Sequence, residues 1–215
     1  MRWWQANWPQ VVTLTGTHLA LAVPAIALAI LIAVPLGRLA GRHRWLGRPL
    51  LGAASLLYAV PALPLLIVIP AVTGVPLRSP VTLVVALTLY GVALLVRTAA
   101  DAFGAVDQAA HEAAVAVGYA PAGLFWRVDL PLALPVLVAG VRVVVVSTVG
   151  LVTIGALIGT ASLGTLLTDG FQRGIVAEVA TGVVAVIALA LVLDRVVWLM
   201  GRRLTAWTRL RAVTA

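Results

Sequence analysis

Charge-free, predominantly apolar stretches occupy residues 49–77, 79–96 and 143–168. Each reaches or approaches the roughly 20 apolar residues that a helix needs to cross a bilayer. Extended by their flanks and by two further apolar segments, they predict five spans, at about 14–36, 51–72, 80–100, 133–158 and 178–200. The longest polar interruptions are 38–49, 107–131 and 159–177, none of which reads as a linker, so residues 1–215 form one transmembrane domain of all-α, polytopic architecture. Pro24 and Pro35 in the first span, and Pro61, Pro64 and Pro70 in the second, are expected to bend or interrupt those helices, which a membrane tolerates where neighbours satisfy the freed backbone. Gly155 and Gly159 give the fourth span a small-xxx-small pair that favours close packing.

Composition agrees with the pattern. With 62% hydrophobic and 10% charged residues and a mean hydropathy of +1.11, the chain is an integral membrane protein. Five crossings put the termini on opposite sides, and the arginines choose which is which. With the N-terminus outside, Arg38, Arg42, Arg44, Arg48, Arg127, Arg202, Arg203, Arg209 and Arg211 are cytoplasmic, against Arg2, Arg78 and Arg173 outside, a bias of nine to three. The N-terminus is read as a span and not as a cleaved signal, because Arg2 is a thin basic region and the apolar segment continues to Gly37 without a cleavage site. Trp3, Trp4 and Trp8 form an interfacial belt at the outer surface, and the tail from Gly201 to Ala215 is expected against anionic lipid headgroups. The net charge of +8 therefore reflects membrane orientation, and no aromatic-interleaved basic face for nucleic acid is present. There is no cysteine, His18, His43 and His111 are scattered, and no metal site is expected.

Residues 107–131 carry the most specific signal. Asp107 is placed to cap a short alanine-rich helix from Gln108 to Val117, and Gly118 suits the left-handed conformation that ends one. Pro121 suits the first turn of a second short helix carrying Leu124, Phe125 and Trp126, and Pro131 is expected to reset the chain before the next span. The result is a helix-turn-helix elbow bearing Glu112, Arg127 and Asp129, a compact knob for a groove on a soluble partner. Glu112-Ala113-Ala114, three residues, Gly118, nine residues, Val128, one residue and Leu130-Pro131 closely resemble the cytoplasmic EAA loop of ATP-binding-cassette importer permeases, with Val128 for the usual Ile.

Other stretches resemble the permeases that import glycine betaine, choline, carnitine or proline. They are Ala33-Val34-Pro35-Leu36-Gly37, Tyr58-Ala59-Val60-Pro61-Ala62-Leu63, Leu130 to Pro135 with Ala139-Gly140-Val141-Arg142, and Ile158 to Gly164. Ala161-Ser162 in place of paired glycines and Arg97-Thr98-Ala99 in place of Arg-Asn-Thr are departures that bear on the substrate. The resemblance implies a type I importer permease fold and a permease subunit in the cytoplasmic membrane of a prokaryote. It implies a second permease copy or a paralogue, a cytoplasmic ATPase dimer that binds the ATP and Mg, and an extracytoplasmic substrate-binding protein. It also implies coupling to the ATPase through Glu112, Ala113, Ala114, Gly118, Leu124, Phe125, Leu130 and Pro131. The chain has no catalytic residue of its own and contains no lysine, which removes a Walker A site.

The remaining charges near the spans, Arg97 with Asp101, Arg142, and Asp194-Arg195, lie closer to an edge than to the midplane and are expected to snorkel or form ion pairs. For a cationic or zwitterionic solute, Tyr58 and Tyr90 offer aromatic faces and Ser147, Thr148 and Thr153 offer hydroxyls along a translocation path. A secondary transporter would be expected to show internal repeats or a buried acid, and a membrane enzyme clustered acids or histidines; neither pattern is visible. Permeases for methionine or another amino acid share the elbow and are the nearest alternative.

Overall fold

The computed structural model describes residues 2–207, all of whose regular structure is helical. Helix α1 (Arg2–Arg42) is a single helix of 41 residues, about 62 Å at 1.5 Å per residue, and so is much longer than the hydrocarbon it crosses. Pro24 and Pro35 lie inside it and do not interrupt it, so the helix runs on past both ends of the expected span of 14–36. Trp3 is tucked against a cluster of Val11, Leu14, Leu163 and Leu166, while Trp4 and Trp8 remain exposed beside one another, as a headgroup-level belt requires.

Small residues at four-residue spacing decide how α1 packs. Ala25, Ala29 and Ala33 are buried, and Gly37 and Gly41 continue their stripe. Opposite them runs α4 (Pro80–Gly104), the most enclosed helix of the bundle. A Cβ at Gly91 would lie 2.6 Å from the Ala29 Cβ, one at Gly37 would lie 2.4 Å from the Ala99 Cβ, and one at Gly41 would lie 3.1 Å from the Ala100 carbonyl oxygen. The backbones approach as closely as glycine and alanine allow, which is how helices gain dispersion contact in lipid.

The same contacts fix topology. Ala29 meets Gly91 and Gly41 meets Ala100, so α1 and α4 run parallel, and the chain between them must return across the membrane. It does so as a broken pair, α2 (Arg44–Ala59) and α3 (Ala62–Thr73), bent by 109° at Val60-Pro61. The expected second span is therefore one crossing made of two helices. Pro61 supplies the break, and Gly74 ends α3 at φ +72°. Among the described residues, four helices are long and apolar enough to cross alone, and this pair, taken as one crossing, makes the fifth span.

Helix α7 (Leu130–Val152) returns antiparallel to α4, with Gly140 against Leu95 and Thr98, and continues as a 3₁₀ segment (Thr153–Ile158) in which Gly155 abuts Leu83. Gly155 packs as expected; Gly159 does not, because it takes φ +85° and ends the segment beside Arg78. Short helix α8 (Gly164–Gln172) folds back onto α9 (Val176–Leu204) with Gly170 against Val179, and Arg173 holds the buried Glu178 at 3.2 Å across the turn. Gly201 of α9 abuts Val138 of α7, so α9 ends at the same end of the bundle as α1 and α4. The expected membrane contact of the C-terminal tail falls largely on residues 208–215, outside the described residues.

The α1–α4 seam gives a direct test. Gly37→Leu, which has no room against the backbone of Ala100, is expected to cost about 1–3 kcal/mol, whereas Gly16→Leu on the same helix, with nothing within 4 Å, is expected to be neutral. Unfolding of each variant by sodium dodecyl sulfate in mild detergent reads the difference; equal midpoints would contradict the seam.

Candidate functional site

At the end of the bundle shared by the C-termini of α1, α4 and α9, the chain builds the predicted elbow. Asp107 accepts from the Ala109 N–H at 3.0 Å and starts α5 (Gln108–Ala116). Gly118 takes φ +89°, and the Gly118 and Tyr119 N–H groups close the helix on the Val115 and Ala114 carbonyls. Pro121 begins α6 (Pro121–Leu124), which passes through a π-helical turn (Phe125–Asp129) directly into α7. The expected reset at Pro131 does not occur. Pro131 stands in the first turn of α7, directly after the π turn, and the helix runs on through it. The second arm of the elbow is therefore rigidly continuous with the fourth span.

The residues expected to couple to the ATPase separate into two faces. Glu112, Ala113 and Gly118 are exposed, and Glu112 accepts from Gln108 Nε2 at 2.9 Å. Val115, Val117, Tyr119 and Trp126 are exposed beside them and give the elbow an apolar outer surface. Ala114, Phe125, Leu130 and Pro131 are half-buried, and Leu124 is buried on the inner side.

Asp129 is not on the outer face. It is buried, and its carboxylate accepts from Arg42 at 2.8 Å, Arg38 at 3.0 Å and His111 Nδ1 at 2.9 Å. These partners come from the end of α1 and from α5, so one carboxylate ties both arms of the elbow to the first helix. The Arg38 guanidinium also lies over the Phe125 ring, 4.1 Å from its centroid. A polar cavity of about 300 Å³ opens among Arg38, Arg42, Phe103, Gln108, His111 and Asp129. Sequence reasoning placed Asp129 with the surface charges because its partners lie 91 and 87 residues away, beyond any local spacing rule. The grouping of Arg38 and Arg42 one turn apart on α1 was the available signal, and it was absorbed by the orientation count.

The candidate translocation residues divide similarly. Tyr58 and Tyr90 meet edge to face with ring centroids 6.2 Å apart, and the Tyr90 hydroxyl donates to the Val60 carbonyl at the break between α2 and α3. Ser147 lines the same cavity of about 530 Å³. Thr148 is buried elsewhere, and the Thr153 hydroxyl donates to the Gly150 carbonyl at the start of the 3₁₀ segment; neither faces that cavity. Arg142 and Asp194, each expected to snorkel or pair, form a bidentate ion pair with each other, both bonds at 2.7 Å, that clamps α7 to α9. His18 is buried and donates through Nε2 to the Val149 carbonyl at 3.0 Å, a tie between α1 and α7 that the sequence did not reveal. No group of three or more His, Cys, Asp or Glu suited to a metal ion occurs among the described residues.

Comparison with known proteins places this geometry. Among similar sequences, the osmoprotectant import permease protein OsmW of Salmonella typhimurium is 37% identical over 199 residues, covering 88% of each chain. The choline transport system permease protein OpuBB of Bacillus subtilis is 29% identical over 201 residues, covering 94% of this chain and 91% of that one. Among solved structures, an inward-facing form of the MetNI methionine ABC transporter superposes with a TM-score of 0.75 over 94% of this chain and 97% of that one, at 23% identity, which is a likeness of fold. Residues 33–206, from the last quarter of α1 to just beyond α9 and including the whole elbow, match the family described as binding-protein-dependent transport system inner membrane component. The chain thus belongs to that family, as the multi-pass permease component of a binding-protein-dependent importer.

Proposed function

We propose that this chain is the permease subunit of an ATP-driven importer of a compact quaternary-ammonium or related compatible solute: glycine betaine, choline, carnitine or proline. The observation that carries the substrate class is sequence similarity across nearly the whole chain to permeases named for osmoprotectants and choline. A methionine permease is the second reading. It is favoured only by the fold shared with MetNI at 23% identity.

In this reading the elbow end of the bundle is cytoplasmic, the N-terminus lies outside and the C-terminus inside. The nine-to-three arginine bias supports that assignment, and it also presents the exposed Val115, Val117, Tyr119 and Trp126 to a cytoplasmic ATPase. A dimer of ATPase subunits binds ATP and Mg, a second permease copy or paralogue completes the pathway, and an extracytoplasmic binding protein delivers the solute. The chain itself hydrolyses nothing, consistent with its lack of lysine for a phosphate-binding loop.

Closure of the ATPase dimer pushes on α5 and α6. Because α6 runs without a break into α7, and because Asp129 joins both arms to Arg38 and Arg42, the push is delivered to the fourth span and to α1 together. A two-state rearrangement of the bundle follows as rigid helices shift against one another.

Two measurements test these proposals. Vesicles holding the full complex are expected to take up labelled glycine betaine only with ATP and the binding protein. ATP-dependent methionine uptake, with no quaternary amine transported or competing, would refute the substrate class. For sidedness, single cysteines at the exposed positions Phe171 and Val117 are treated with an impermeant maleimide in intact cells. Phe171→Cys is expected to react and Val117→Cys to stay protected; the reverse pattern would invert the topology.

A further inference from the structure

The break in the second span opens a cavity with an unusual lining for its depth. Tyr90 stands ten residues into the 25-residue α4, about 15 Å from its start, so the cavity lies in the middle of the membrane. Its volume of about 530 Å³ is within the ~300–1,000 Å³ of small-molecule pockets. No charged side chain lines it. The nearest ions, Arg142 and Asp194, share the neighbouring groove past Ser147 and neutralise each other.

The cavity instead presents two aromatic rings set 75° apart, forming a corner. The Tyr90 hydroxyl is committed to the Val60 carbonyl, which fixes that ring and the break together, while Tyr58 is about half exposed and offers its face. The Ser147 hydroxyl on the opposite wall makes no hydrogen bond among the described residues. A primary ammonium entering here would exchange its water for the Tyr58 and Ser147 hydroxyls and the carbonyls at the end of α2, with no carboxylate in the lining to pair its charge. A quaternary nitrogen has no N–H group to satisfy, and its diffuse charge is stabilised by ring faces.

We propose that Tyr58 and Tyr90, with Ser147, form an intramembrane subsite for the alkylated nitrogen of the transported solute, so that the permease itself discriminates quaternary from N–H ammonium groups after the binding protein has released its cargo. This rests on the quaternary members of the substrate class proposed above, glycine betaine, choline and carnitine, and adds a place in the membrane where they are recognised; proline, which keeps two N–H bonds, falls outside it. The site forms at the helix break, so movement of α2 against α4 changes the angle between the rings and releases the solute as the bundle switches.

The test uses the assembled complex in lipid nanodiscs with Ser147→Cys as a reporter. Its reaction with N-ethylmaleimide is expected to slow at least fivefold at saturating tetramethylammonium, but not with methylammonium or with neopentyl alcohol, a neutral molecule of similar shape. Adding Tyr58→Leu should abolish the protection and Tyr58→Phe should keep it. Equal protection by neopentyl alcohol, or none by tetramethylammonium, overturns the subsite. In vesicles, Tyr58→Leu is expected to lower glycine betaine moved per ATP at least tenfold and Tyr58→Phe to recover most of it; equal values for the two variants also overturn it. A complex that shows the protection pattern yet imports no quaternary amine refutes the substrate class, and with it the assignment of the subsite to the transported solute. One that imports glycine betaine without protection refutes the subsite and leaves the substrate class.

Discussion

In hydrocarbon, helices gain nothing from hiding apolar side chains from one another, so what holds this bundle together is how closely backbones approach. The seam of Ala25, Ala29, Ala33, Gly37 and Gly41 against Gly91, Ala99 and Ala100 is the most extensive such approach, and much follows from it. It sets α1 and α4 parallel, which compels the intervening chain to cross back. It places the ends of both helices side by side, which makes the pocket where the elbow is anchored. It also fixes the height of Tyr90 against the break at Val60-Pro61.

The elbow is anchored by charge where the seam is held by contact. Burying a carboxylate is costly unless it is fully paired, and Asp129 has three donors from two separate segments. Removing one partner leaves an under-compensated charge, so the cluster behaves as a latch that is either whole or broken. Its placement between α5, the π turn and α1 makes the elbow part of the bundle rather than a loop hung from it. This is the physical requirement for a push on the outer face to move spans.

What was legible in the sequence was local. Asp107 as a cap, Gly118 as a left-handed terminus and Pro121 as a first-turn residue follow from rules spanning a few residues, and the structure shows each of them. Long apolar runs located the spans, and the full spacing from Glu112 to Pro131 located the elbow. Prolines misled where a helix had another way to accommodate them: Pro35 is carried within α1, and Pro131 follows a π turn, whereas Pro61 does break its span. Contacts between distant segments were not readable. The Arg142–Asp194 clamp, the His18 tie and the convergence of Arg38, Arg42 and His111 on Asp129 depend on which helices become neighbours, which a single sequence does not state. Tyr58, Tyr90 and Ser147 were chosen for their chemistry; only the 109° bend brings them to one cavity and leaves Thr148 and Thr153 outside it.

The central claim is that the elbow and the end of α1 move as one body. Spin labels at the exposed positions Val117 on the elbow and Leu39 on α1 measure this directly in the assembled complex. With and without trapped ATP, the two labels are expected to give a single narrow distance distribution that does not shift, and Asp129→Asn should broaden it. A distance that changes between the two nucleotide states in the unmodified complex would mean that the latch opens during the cycle and would contradict the account.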